Sequence, residues 1–447
     1  MIDLLVRGAR IAGSPDMGPV DVHVDGGVIL EVVPAFAELV PARTVIEARG
    51  ALLSAPYVEP HIHLDAVLTA GEPRWNLSGT LWEGIACWSE RKASLNRQDV
   101  IDRAEEILRW QVANGVLFVR THVDVTDPKL EALEALLEVR DRVRDVVGLQ
   151  IVAFPQEGIC SFPDGEKLIE EAARRGSDVV GAIPHFEDTR EDGVRSVEIA
   201  IDVAVRHGLL VDAHCDEIDD EQSRFLEVLA TQALRTGLRE RVTASHATAM
   251  GSYNAAYSYK LQRIVRRSGI HLVSNPLANL HLQGRFDGYP KRRGLLQAKE
   301  MLNAGVNIAF GHDSVMDPWY PLGTGNPIQV ALVGAHATQL TAPPEVEECF
   351  RMVTDRAAAA LCLGEQYGIV RGRPASFMLL PALSPFDAVR RQVRPSHVVA
   401  HGRLVASSPP SATTLDWPGR GLELVDHIRS SDAAGATWRE WGDAPPA

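Results

Sequence analysis

Residues 59–65 read Glu59-Pro60-His61-Ile62-His63-Leu64-Asp65. Two imidazoles stand one residue apart, after an apolar run from Ala51-Leu52-Leu53 through Tyr57-Val58 that reads as a strand. Side chains at i and i+2 of a strand share a face, so both rings can converge on one metal ion. Imidazole suits zinc or iron. Two ordinary polar residues at a strand end would look the same. The reading therefore depends on what the rest of the chain places beside them.

The middle of the chain repeats one rhythm. Apolar runs rich in Val and Ile alternate with longer amphipathic segments. The strand candidates are 52–58, 116–125, 149–155, 178–186, 209–215, 241–246, 271–275 and 306–311. Helical patterns lie between them, for example Val100 to Trp110 and Gly165 to Ala173. This alternation predicts βα units and a parallel sheet. There are about eight repeats over about 260 residues, the size and number of a (β/α)8 barrel. A doubly wound sheet shares the rhythm, so the polar residues have to decide. In a parallel barrel the reactive groups cluster at the carboxyl ends of the strands. Nearly every candidate strand ends in one: His61 and His63, His122 and Asp124, Gln156 and Glu157, His185 and Glu187, His214 and Glu217, Ser245 and His246, Asn275, and His312 and Asp313. A chance scatter would also place them at strand starts and inside helices. The expected fold is α/β, a (β/α)8 TIM barrel with a small flanking β-sandwich.

Both ends of the chain have a different texture. Short alternating bursts such as Val20-Asp21-Val22-His23-Val24 and His397-Val398-Val399-Ala400, punctuated by Gly and Pro, predict antiparallel strands. We expect residues 1–54 and 370–420 to build the β-sandwich, 55–369 the metal-dependent barrel, and 421–447 a C-terminal tail of unknown role. The net charge of -14 disfavours a nucleic-acid backbone but not a small neutral ligand. Five scattered cysteines without a CxxC pair give neither a disulfide framework nor a zinc ribbon. The N-terminus lacks a signal-peptide pattern, and no apolar run is long enough to span a bilayer. A cytoplasmic protein that self-associates and acts on a small molecule is expected.

A catalytic metal needs about three protein ligands and an open position. His61, His63 and His214 offer neutral nitrogen, and Asp313 an anionic oxygen. A binuclear site bridged by a modified lysine would need Lys at the end of the fourth strand. Ile183-Pro184-His185 stands there, so one divalent ion, Fe2+ or Zn2+, is expected. His122, His185 and His312 are read as structural or supporting. Glu217 beside the metal suits proton transfer, and His246 suits a hydrogen bond to the attacking oxygen. Asp313 can take the first proton while holding the metal. Gln156 offers a donor and an acceptor side by side, matching a cyclic amide edge.

The chain resembles the bacterial cytosine deaminases of the amidohydrolase superfamily. The residues that carry the likeness include Val58 to Asp65, Trp75-Asn76-Leu77-Ser78-Gly79-Thr80-Leu81, Phe154-Pro155-Gln156-Glu157-Gly158, Ala213 to Glu221 and Thr243-Ala244-Ser245-His246. Leu282-Gln283-Gly284-Arg285-Phe286-Asp287, Phe310-Gly311-His312-Asp313 and Asp317 to Gly323 complete it. The resemblance implies hydrolytic loss of an exocyclic amine as ammonia, with cytosine giving uracil or 5-methylcytosine giving thymine. It implies His61, His63, His214 and Asp313 on iron or zinc, Glu217 and His246 in proton transfer, and Gln156 on the base. Trp319 would pack on the ring, and Leu81 and Ser314 would line the pocket. The cytosine deaminases carry a second Asp after the metal Asp, where this chain has Ser314. The smaller side chain predicts room for a 5-methyl group. Another small heterocycle, such as isoguanine, is the alternative substrate.

Overall fold

The computed structural model describes residues 1–14, 16–36, 40–409, 411 and 413–429. Eight strands form one sheet in sequential order: Tyr57–Ile62, Val116–Asp124, Gly148–Phe154, Val179–Ala182, Leu210–Cys215, Val242–His246, His271–Ser274 and Ile308–Phe310. The registers from the second strand to the eighth are all parallel. The sheet closes through a parallel bridge between Ile62 and Asp313. There the His63 N–H donates to the Asp313 carbonyl at 3.1 Å, and the Asp313 N–H to the His61 carbonyl at 2.8 Å. The expected barrel is therefore present. Its strands are buried on both faces, as a parallel sheet covered by helices requires; all nine positions of Val116–Asp124 are buried.

The connecting helices carry ordinary stop and start signals. Arg190–His207 begins after Thr189, whose hydroxyl accepts from the Asp192 N–H, and ends at Gly208 in the left-handed conformation. Ala255–Ser268 uses Asn254 and Gly269 in the same way.

Two strand boundaries differ from the sequence reading. The run 52–58 is two strands. Leu52–Ser54 belongs to the other sheet, and the first barrel strand starts only at Tyr57, beyond Pro56. The fourth strand ends at Ala182 rather than near 186, because Pro184 has no N–H to continue the ladder.

The second compact unit comprises the described residues of Met1–Tyr57, Val112–Leu117 and the stretch from Gly364 to 429. Ile2–Ile11 is shared between two sheets. It pairs with Val20–Asp25 and Ala42–Glu47 in one, and its far end pairs with Leu52–Ser54 in the other. Phe377–Leu380, His397–Ala400 and Arg403–Ser407 extend the second sheet. One core joins both layers, with Leu4, Val22 and Ile29 against Leu53, Phe377 and Val399. A hairpin of Thr413–Trp417 and Gly421–Val425 crosses residue 420, where the tail was expected to begin. The tail from 430 on lies outside the described residues. Among the described residues, no helix is long and apolar enough to cross a membrane.

Candidate active site

The barrel brings the predicted residues together at one end. His61 is the fifth residue of the first strand, and His63 follows that strand by one. His214 lies in the fifth strand, and Ser245 pairs with it in register from the sixth. Asp313 follows the eighth strand. Both Asp313 and His246 have φ of +71°, a left-handed backbone that non-glycine residues adopt uncommonly. Gly311 permits this crowding, since a Cβ there would lie 2.5 Å from Asn275 Oδ1 and 2.9 Å from His61 Cβ. The Glu59 carboxylate accepts from the His61 N–H at 3.1 Å and the His312 N–H at 2.9 Å, tying the first strand to the segment after the eighth.

Four donor atoms converge. His214 Nε2 is 3.2 Å from His61 Nε2 and 3.1 Å from His63 Nε2. Asp313 Oδ1 is 3.4 Å from both His61 Nε2 and His63 Nε2. Ligands at roughly 2.0–2.1 Å from a tetrahedral ion stand about 3.3 Å apart, so this donor set fits a divalent metal. Burial, then neighbouring imidazoles, holds His61 and His214 well below the usual histidine value, so both offer a neutral lone pair. Burial opposes the Asp313 charge, but the His246 charge and the neighbouring His61 and His63 imidazoles outweigh it and hold its pKa well below the usual carboxylate value.

His246 lies in the same cluster, within 4.8 Å of the donor atoms of His61, His214 and Asp313. Its Nδ1 faces Glu217 Oε1 at 3.0 Å and Asp313 Oδ2 at 3.9 Å. Burial alone would lower its pKa; the Glu217 and Asp313 carboxylates overcome this and hold it at about 9. Asp216 fixes the loop that presents Glu217, accepting from the Ser223 hydroxyl and the Phe225 and Leu226 N–H groups at 2.7–2.9 Å.

A narrow pocket of about 20 Å³ is lined by His63, Leu81, Gln156, His214, Glu217, Leu282, Asp313, Ser314 and Trp319. Trp319 is set by an Asp317 turn, in which one carboxylate oxygen accepts from the Trp319 and Tyr320 N–H groups at 2.9 Å. Asn76 Nδ2 donates to the Pro318 carbonyl at 3.0 Å and ties the loop before Leu81 to this turn.

The sequence profile of the amidohydrolase family matches residues 44–406. The chain belongs to the amidohydrolase family. Among solved structures, this amidohydrolase is 48% identical to 5-methylcytosine deaminase from Klebsiella pneumoniae liganded with phosphonocytosine. That match covers 90% of this chain and 98% of the other, with a TM-score of 0.88. The same Klebsiella enzyme with 5-fluorocytosine matches at 47% identity over 96% of this chain and 100% of the other, with a TM-score of 0.88. N-isopropylammelide isopropyl amidohydrolase of Pseudomonas sp. (strain ADP) is 26% identical, over 90% of this chain and 97% of that protein. Membership of the family and the His/Asp donor group together support a divalent metal.

Of the three histidines read as supporting, His122 has its ring centre 3.9 Å from that of His61, tilted by 31°. The His312 Nδ1 faces the Ser314 carbonyl at 2.9 Å. His185 is partly buried after the fourth strand. None of the three joins the four converging donors. Sequence reading missed Asn279. Its Nδ2 donates to Glu217 Oε1 at 3.0 Å and lies 3.2 Å from His246 Nδ1. The available signal was a second Asn four residues after Asn275, one turn into a helix that starts at Pro276.

Proposed function

We propose that this amidohydrolase removes the exocyclic amine of a free cytosine-type base by hydrolysis, converting 5-methylcytosine to thymine and cytosine to uracil, with release of ammonia. Its neighbour of 48% identity, matched over nearly the whole of both chains, is named a 5-methylcytosine deaminase. The observation that carries the reading is one small pocket lined by His63, His214 and Asp313 of the four-donor cluster, by Glu217 of the carboxylate–imidazole pair, and by the Gln156 side-chain amide.

His61, His63, His214 and Asp313 would hold one Fe2+ or Zn2+ ion per chain. His246 stays out of this set because its Nδ1 is engaged by Glu217. When bound, the ion lowers the pKa of a coordinated water toward neutrality. Gln156 reads the C=O and N–H edge of the base, and Trp319 and Leu81 clamp its ring. Asp313 takes the first proton from the attacking water. Glu217 delivers a proton to the ring nitrogen as the water oxygen bonds to the amine-bearing carbon. His246 hydrogen-bonds that oxygen and stabilises the charge on the tetrahedral centre. The carbon–nitrogen bond then breaks: the amine leaves as ammonia with the proton that Asp313 took, and Glu217 recovers the remaining proton of the attacking oxygen, which becomes the carbonyl.

The test is steady-state ammonia release from cytosine, 5-methylcytosine and isoguanine. The reading expects one or both pyrimidines to be turned over. Ammonia from isoguanine alone would replace it with the other-heterocycle reading.

A further inference from the structure

Beneath the donor cluster the barrel interior holds an ion pair with no part in the chemistry above. Arg120 Nη1 donates to Asp212 Oδ2 at 2.9 Å, and both side chains are almost wholly buried. Arg120 also donates to Gln150 Oε1 at 2.9 and 3.0 Å and to Thr243 Oγ1 at 3.2 Å. Such a buried pair stabilises a fold no better than apolar packing would, so its presence invites another explanation. Asp212 Oδ1 supplies one. It accepts from the Ser245 hydroxyl at 2.7 Å, and Ser245 Oγ lies 2.9 Å from His61 Nδ1.

Ser245 has a single proton, and an ionised Asp212 can only accept it. The remaining lone pair of Ser245 must therefore receive the His61 Nδ1–H. The His61 proton is then fixed on Nδ1, and the lone pair of Nε2 faces His214 and Asp313. By contrast, His214 Nδ1 has no partner among the described residues. A second possible ion group, His61, His122 and Asp212, competes for the same carboxylate. Asp212 is already committed to Arg120 and Ser245.

We propose that Arg120, Asp212 and Ser245 are positioning residues that lock the tautomer and ring orientation of His61 for metal binding. The relay rests on the metal-site reading given above. Partners of this kind change metal affinity about tenfold to a hundredfold when removed.

The test is competition between the protein and a chelator for Zn2+, using metal-free full-length protein and its Ser245→Ala, Ser245→Thr and Asp212→Asn variants. Ser245→Ala keeps the Arg120–Asp212 pair and should fold. Its zinc dissociation constant should rise about tenfold to a hundredfold, with the unfolding midpoint of the metal-free protein unchanged. Ser245→Thr keeps the hydroxyl and should restore the affinity. Asp212→Asn should weaken zinc binding in the same direction as Ser245→Ala. Zinc affinity in Ser245→Ala equal to the parent's overturns the relay and leaves the metal site standing. A parent protein that holds no zinc against the chelator overturns the metal site, and the relay with it.

Discussion

Ser314 is buried in the pocket wall next to Asp313. An aspartate there would narrow the pocket and bring a second negative charge beside the first. In Ser314→Asp, kcat/KM for 5-methylcytosine should fall relative to cytosine by at least the roughly tenfold to 200-fold that a methyl misfit costs. Rates on both bases check this, and an unchanged ratio would remove Ser314 from substrate choice. Gly84 makes a second claim at this scale. A Cβ there would lie 2.4 Å from Trp319 Cδ1. Gly84→Ala should displace the indole, with an overpacking cost of about 1–3 kcal/mol and a clear fall in kcat/KM. Denaturation and turnover of one sample measure both effects. The metal-type residues and Glu217 were legible in the sequence because each ends a strand of regular rhythm. Asn279 was not, because its role depends on a helix turning back over the barrel mouth. Asp212 was hidden for a related reason: it is one buried acid inside a strand, and only the barrel's closure shows what it faces.

At the scale of single elements, closure depends on the first strand meeting the end of the eighth. Glu59 holds this seam with a buried carboxyl, whose pKa burial pushes up to about 8. Glu59→Ala leaves the N–H groups of His61 and His312 without that acceptor. Each lost partner costs about 1–3 kcal/mol, so denaturant unfolding should show a loss of about 2–6 kcal/mol. A loss under about 1 kcal/mol would mean that the seam does not need this side chain. The sequence rhythm located all eight strands, yet it merged Leu52–Ser54 with Tyr57–Ile62. Both pieces are buried and apolar, and the one visible break is Pro56. Ala42–Glu47 escaped altogether. It pairs in parallel with Ile2–Ile11 across a long separation, and four of its six positions are exposed, so short-range alternation carries little of it.

For the whole molecule, pH acts through buried neutral imidazoles. His271, which starts the seventh strand, is held down at about 4 by burial and by the charge of Arg120. Between about pH 4 and 6.5 the unfolded chain binds a proton there that the folded chain does not. Stability therefore falls as pH drops through this window, by about 1.4 kcal/mol per pH unit for this one group. Unfolding free energies measured from pH 6 to 5 should show a slope smaller by about that amount in His271→Asn than in the parent. Equal slopes would show that His271 titrates alike in both states.

The account as a whole depends on four residues, drawn from three strands of one barrel, gripping a single cation beside a small pocket. Its most direct measurement is ammonia release from 5-methylcytosine and cytosine, made on one sample whose metal content is determined before and after chelation. The prediction is one divalent ion per chain, loss of turnover when it is stripped, and recovery on adding Fe2+ or Zn2+. Full turnover by the stripped protein would contradict it.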